Sequence, residues 1–515
     1  MQTSLPLLSL LVALPALGAV ALRWVRQPAR ARQVATGVAV STLALTAGVV
    51  LLFRDGQPGP QLLEAWFRVP LLGMVYRMGV DGASVLALTL TALLTLALVA
   101  AGPHQSLDRS TLVVLLLTES ATLGFFCAQD LALMLAFFLA TLVPPSVLVS
   151  RDARALPEAR TLRTFRTYMI AGTLPLLVAT VLVGVVGWHA GVEEPFALTE
   201  LLARGVPDAW RRPLFGLLLL AVGVRMAVVP FHSWLPVLMT RGPFGLGPLL
   251  VNVHVGLYLL VRVVMPLMPS QWNHAGPLLG VLGLCGALYG AVLALAQVDL
   301  RRMVGFLLVS QSGLLLAGLA MVNVQSLAGA LLQSVAVGLA FTGLMLVVRA
   351  LEARTGTTDL TRLGGLVRRA PRMAAFFFLL GFASLGFPGT MSFVGEDLLL
   401  HGILGAHPLV ALPMLLATAI NAIALFRAFQ RTFLGSPAHG HATALETVEE
   451  LLPRERWVAF GLFALVVLGG LMPGPLLRLR ESQVESLVER LAPVQHGNST
   501  AAHGDGLLDG ARAEQ

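Results

Sequence analysis

Runs of about twenty apolar residues recur along almost the whole chain, and that recurrence limits the possible folds more than any motif does. In lipid every backbone N–H and C=O must be satisfied within the structure, so a run of this length forms a membrane-crossing helix. Fourteen runs fit, near 4–22, 33–53, 82–102, 111–128, 130–150, 167–187, 213–232, 246–266, 275–297, 303–322, 326–348, 373–402, 408–430 and 456–474. Composition agrees, with 56% hydrophobic residues, 12% charged residues and a mean hydropathy of +0.81. A soluble domain carries about 25% charged residues. The expectation is therefore one all-α multi-pass membrane protein rather than several soluble domains. Its two cysteines, Cys127 and Cys285, each lie in an apolar run. They are too few for an iron–sulfur cluster, a CxxC pair or a thiolate zinc site, so no cofactor is expected in this chain.

The chain has no lysine, and all 35 basic residues are arginine. A net charge of +8 suits a nucleic-acid partner, but the arginines sit in short loops and form no stripe interleaved with aromatics. That pattern sets membrane orientation, and nucleic acid is excluded as a partner. With the N-terminus outside, the inner loops 23–32, 151–166, 299–302 and 349–372 carry four, five, two and six arginines. The outer connections at Gln129, 267–274, 323–325 and 403–407 carry none. Inner and outer alternate throughout fourteen crossings, which puts both termini on the outer side. The first run is expected to remain as a span rather than be cleaved, because Arg23, Arg26, Arg30 and Arg32 follow it.

Two runs are interrupted. The seventh reads VGVRMAVVPFHSWLP, with Pro230 and Pro236 inside it; the twelfth, LGFPGTMSFVGEDLLL, breaks at Pro388-Gly389. Proline removes a backbone donor, and broken helices at membrane depth survive only inside protein or beside a wet cavity. The breaks fall five runs apart. Five is odd, so spans 4–8 and 9–13 would have opposite topology, as inverted repeats do. The expected organisation is 1–110 with three spans, 111–266 as the first five-helix repeat and 275–430 as the second. Residues 431–475 add a loop and the last span, and 476–515 a polar tail.

A charge at mid-membrane costs about 2.5–3.5 kcal/mol or more, so each one needs a reason. Glu119 lies mid-run in span 4, Arg225 just before the break in span 7 and His232 just after it. His254, with Asn252 close by, is in span 8; Gln311 is in span 10, and Glu396 follows the break in span 12. Strung together, these groups would make a lateral wet path along the bilayer midplane. Each also fits a plainer role, an interhelical hydrogen bond or ion pair. Glu119 and Arg225 suit each other as one such pair.

VPFHSWLP, GLYLLVR, DLRRMVGFLLVSQSG and LGGLVRRAPRMAAFFFLLGFASLGFPGTMSFVGE together resemble the antiporter-like membrane subunits of respiratory complex I. The subunit M branch is the most similar, through FFxxxLVP at 137–144, YRMGVDGAS at 76–84 and the PGTxxFVGE stretch. The resemblance covers residues 60 to 475 or so. It implies fourteen helices with two inverted repeats, in agreement with the tally above. It also implies other membrane subunits as partners, a bacterial inner membrane as the location, and proton carriage driven by quinone reduction elsewhere. The same family includes Mrp-type cation antiporter, membrane-bound hydrogenase and inorganic-carbon uptake subunits.

Carried over residue by residue, the family's relay is damaged here. Its span 5 glutamate falls on Leu139, its span 7 lysine on Arg225 and its span 8 lysine on His254. One histidine falls on Gln311 and the next on Val337, while Glu119, His232 and Glu396 remain. A relay site must bind and release a proton near working pH. Buried lysine does so, because desolvation lowers its pKa; arginine stays charged. Three readings follow. The chain is a non-redox, translocase-type subunit of a NADH:quinone oxidoreductase with a degenerate proton path, or a non-conducting spacer. The third is a subunit of a cation antiporter, hydrogenase or carbon-uptake assembly.

Smaller features carry less. Residues 478–490 read as a helix, lying on the outer membrane face or plainly solvated. His439 and His441 are too few ligands for a metal, with Glu446 the nearest carboxylate. Asn498 opens a glycosylation triplet in a polar, disordered-looking tail.

Overall fold

The computed structural model describes residues 6–57, 59–69, 73–103, 106–152, 156–251, 254–406, 408–436 and 448–492. Asn252, His439, His441, Glu446 and Asn498 lie outside the described residues. Helices α1 (Leu7–Ala21) and α2 (Pro28–Leu52) precede a hairpin, β1 (Gln61–Val69) and β2 (Met74–Val80). Then come α3 (Gly82–Ala101), α4 (Arg109–Cys127), α5 (Leu131–Ala140), α6 (Val143–Asp152) and α7 (Leu156–His189). Shorter pieces follow: α8 (Leu198–Arg204), α9 (Asp208–Arg225), α10 (Trp234–Arg241), α11 (Leu246–Val251), α12 (Val255–Leu259) and α13 (Met265–Leu267). The second half holds α14 (Pro269–Ala296), α15 (Leu300–Ala320), α16 (Val324–Thr355), α17 (Pro371–Ala383), α18 (Met391–Ala406) and α19 (Ala411–Phe429). The last two helices are α20 (Pro453–Leu471) and α21 (Gly474–Leu491).

The chain is a helical multi-pass membrane protein. Among the described residues nine helices are long and apolar enough to cross a bilayer, ten if the bent pair α20–α21 counts as one. The remaining apolar helices are short or broken. The hairpin is an addition to the all-helical expectation. Its buried Glu64 accepts hydrogen bonds from the backbone N–H groups of Leu8 and Ser9, at 2.6 and 3.1 Å. A carboxylate thus fills the unsatisfied amino end of α1, where the helix dipole favours it.

Loop residues finish the helices in a consistent way. Asp81, Asp108, Asp130, Asp299 and Asn323 accept from the backbone N–H three residues on and cap the starts of α3, α4, α5, α15 and α16. Arginines take the other ends. Arg32 donates to Ala100 O and Gly102 O at the end of α3. Arg301 donates to Met239 O and Gly242 O at the end of α10, and pairs with Glu352 at 3.2 Å. A guanidinium carries five donors in a fixed fork and reaches two carbonyls at once, which an ammonium does less well.

Two helices form the axis. The apolar stretch of α15 is wholly buried and that of α16 nearly so, whereas α2 and α19 are largely exposed and carry apolar side chains such as Leu51, Leu412 and Ile423 at the surface. α14 meets α15 backbone to backbone. A Cβ on Gly283 would lie 2.7 Å from Gly313 O, and one on Gly313 2.5 Å from Gly283 O. Small residues let membrane helices approach this closely.

Both expected breaks are present. α9 stops at Arg225 and α10 restarts at Trp234, whose indole N–H donates to the carbonyl of Val224 at 2.9 Å. α17 stops at Ala383 and α18 restarts at Met391, with Gly386 and Gly389 between them at φ +74° and +85°. A third break corrects the expectation of an unbroken 246–266. α12 starts only after His254, which is left-handed at φ 52°, and residues 260–264 form a π-helical turn. No proline announces this break, and histidine tolerates the left-handed region better than most residues.

Candidate functional site

Around the first break the polar groups are poorly matched. Glu119 on α4 is fully buried, and neither carboxyl oxygen has a hydrogen-bond partner. Arg225 is also buried. Its Nη2 donates to Thr141 Oγ1 at 3.2 Å and its guanidinium lies 5.5 Å from the Phe138 ring centroid, while Nε and Nη1 have no partner. The expected Glu119–Arg225 ion pair does not form. As the last residue of α9, Arg225 turns its guanidinium to the end of α5, where the chain uncoils and presents the buried Thr141 hydroxyl. Leu139, two residues earlier, is 40% exposed.

The two histidines sit apart. His232, in the break, meets Tyr289 edge to face at 5.1 Å and lies 6.4 Å from Phe306, with Nδ1 unpartnered. His254 has Nε2 unpartnered and borders a cavity of about 30 Å³ shared with Ser334 of α16.

Around the second break the groups come together. Gln333 Nε2 donates to Gln311 Oε1 at 3.1 Å and to Glu396 Oε1 at 3.2 Å, and Gln311 Nε2 reaches Glu396 Oε1 at 3.5 Å. Room for the carboxylate comes from Gly386, where a Cβ would sit 2.6 Å from Glu396 Oε2. Nearby, Asn421 donates to Ser310 Oγ at 2.8 Å. Val337, one turn beyond Gln333 on α16, is completely buried and offers no polar atom. Among the described residues no side-chain hydrogen bond joins either histidine or Glu119 to the Glu396 cluster.

Sequence reasoning named Gln311 and Glu396 but missed Gln333 and Thr141. A lone amide or hydroxyl in an apolar run is a weaker signal than a charge. Gln333, in the run LAGALLQSVAVGLA, was nevertheless visible as a polar residue in a helix that could have no water around it.

A membrane bundle with broken helices around buried polar groups has the architecture of an antiporter-like membrane subunit. The family described as NADH:quinone oxidoreductase/Mrp antiporter, TM, matches residues 128–421, more than half of the chain, and the chain belongs to that family. It is 26% identical over 501 residues to NADH-quinone oxidoreductase subunit M of Rickettsia typhi, covering 94% of this chain and 99% of that one. It is 29% identical over 476 residues to NAD(P)H-quinone oxidoreductase chain 4 2 of a Synechococcus strain, covering 90% and 88%. Among solved structures it superposes on a chain of respiratory complex I from Thermus thermophilus with a TM-score of 0.84 at 28% identity, covering 94% of this chain and all of that one. A chain of the Mrp complex from Dietzia shares the fold at a TM-score of 0.78 and 21% identity, covering 95% of this chain and 100% of that one.

Proposed function

We propose that this chain is a non-redox membrane subunit in the translocating arm of a NADH:quinone oxidoreductase-type complex, and that its proton path is incomplete. In this reading it crosses a bacterial inner membrane fourteen times with both termini outside, and holds no cofactor of its own. Residues 111–266 and 275–430 are the inverted repeats, flanked by 1–110, 431–475 and 476–515. Its partners are the neighbouring membrane subunits and the lipid.

One observation carries the incomplete path: the group before the first break is Arg225, which meets a hydroxyl and a phenyl ring instead of a carboxylate. A relay needs a group that gives up its proton and a partner that shifts with it. Guanidinium keeps its proton, and Thr141 cannot take up a charge. In the second half Gln311 and Gln333 hold Glu396 by amide hydrogens, and Val337 interrupts the row. Amides orient a carboxylate but do not pass protons along. Glu119, His232, His254 and Glu396 remain as isolated titratable groups, and the chain acts as a spacer that keeps the fold and the interfaces.

The test is proton flux of the assembled complex in inverted vesicles. Glu396→Gln is expected to leave flux unchanged, and a clear drop overturns the spacer reading. Arg225→Lys is expected to leave flux unchanged or raise it, since lysine restores a titratable group.

A further inference from the structure

The final helix brings a cation into the bundle. α21 leaves α20 at 68° and packs along the ends of α3 and α16. Its buried residues are Arg480, Val484, Leu487 and Leu491, spaced as one helix face, so an arginine occupies a place where the pattern calls for an apolar residue. Arg478, Glu481, Glu485 and Glu489 are exposed. The approach to α3 is very close: a Cβ on Gly82 would sit 2.1 Å from Leu479 O and 3.1 Å from the Arg480 Cα. From there the Arg480 side chain, 5% exposed, runs inward. Its Nε and Nη2 have no partner, and no ion pair joins it to a carboxylate among the described residues. Asp81, the acid beside this contact, is committed to Arg262 at 3.2 Å.

Arg480 lines the cavity of about 30 Å³ that His254, Ser334 and Tyr258 also border. Tyr258 donates its hydroxyl hydrogen to Phe126 O, whereas His254 Nε2 is unpartnered. A permanent cation therefore borders a space large enough for about two water-sized particles. A buried, unmatched charge is costly, and an opposite charge from solution relieves that cost. Arg225 differs, because a hydroxyl and an aromatic face engage it.

We propose that this cavity is a binding site for a small monovalent inorganic anion, a halide such as chloride, held by Arg480. One guanidinium balances one negative charge, which favours a monovalent ion over sulfate or phosphate. The site goes beyond the transport reading and holds whether or not the chain conducts protons. Occupancy would fasten α21 to α3, α12 and α16.

The full-length protein in lipid nanodiscs is melted in chloride, bromide or gluconate at constant ionic strength. Halide is expected to raise the melting temperature saturably by a few degrees, since it binds only the folded form. Arg480→Gln is expected to lose that response and to melt in gluconate no lower than the unaltered protein. Crystals grown in bromide are expected to show an anomalous peak in this cavity beside Arg480. An equal halide response in Arg480→Gln, or no bromide in the cavity, overturns the proposal. If Arg480→Gln does not fold, the bromide map of the unaltered protein decides alone. Glu396→Gln should keep the full halide response whatever it does to flux, so the two readings fail separately.

Discussion

The two broken helices are finished in opposite ways. At the second, an acid sits among donors aimed at it: Glu396 accepts from Gln333 and Gln311, and a glycine leaves room for its other oxygen. At the first, a base sits among groups that barely answer it: Arg225 has one hydroxyl, one aromatic face and two idle nitrogens, and Glu119 is equally alone. The same interruption of backbone hydrogen bonding thus supports a satisfied cluster in one place and an unmatched charge in the other. A broken helix creates space for polar chemistry; the side chains around it decide whether that chemistry is balanced.

The contrast is broken most easily at Glu396. Glu396→Leu strands the amide hydrogens of Gln311 and Gln333, each at a cost of about 1–3 kcal/mol, and the protein should melt well below the unaltered form. No loss of stability would mean that the cluster is not held together by the carboxylate. Arg225→Met should do the reverse. Removing a buried charge with no ion-pair partner is expected to stabilise by about 1–2 kcal/mol, within the range seen when buried ions give way to apolar residues. A marked destabilisation in the same melting assay would reveal a hidden counterion, with Glu119 the first suspect. A double-mutant cycle of Arg225→Met with Glu119→Gln then measures their coupling directly, and below about 0.5 kcal/mol is expected of residues that do not touch. Thr141→Val should have the smallest single effect, about 0.5–1.5 kcal/mol, because only one hydroxyl is lost.

What could be read from residues alone follows the strength of the physical signal. Apolar length is strict in a bilayer, so the long helices lay close to where the runs placed them. The breaks at Pro230 and Pro388-Gly389 were legible because proline cannot donate and glycine reaches positive φ. The break at His254 was not; beside it Gly256 lets α12 approach the backbone of Val222 and Met226, with a Cβ there only 3.1–3.2 Å from Met226 N and Val222 O, and such packing leaves no mark in hydropathy. Charges were visible as expensive residues, but their partners were not. Arg225 and Glu119 looked complementary in the sequence, yet choice of partner depends on helix rotation, which hydropathy does not encode. Arg480 was hidden for another reason. It sits among exposed charges on an amphipathic helix, and only the tertiary fold turns it inward.

α16 gives the comparison a mechanical side. Its thirty-two residues run without interruption. Gln333 on it grips the acid of the second break, and Glu352 near its end holds Arg301, which in turn grips the end of α10 beyond the first. Both discontinuities are therefore hinged on one stiff strut. A displacement at either one would load that strut, which ties the two ends of the bundle together.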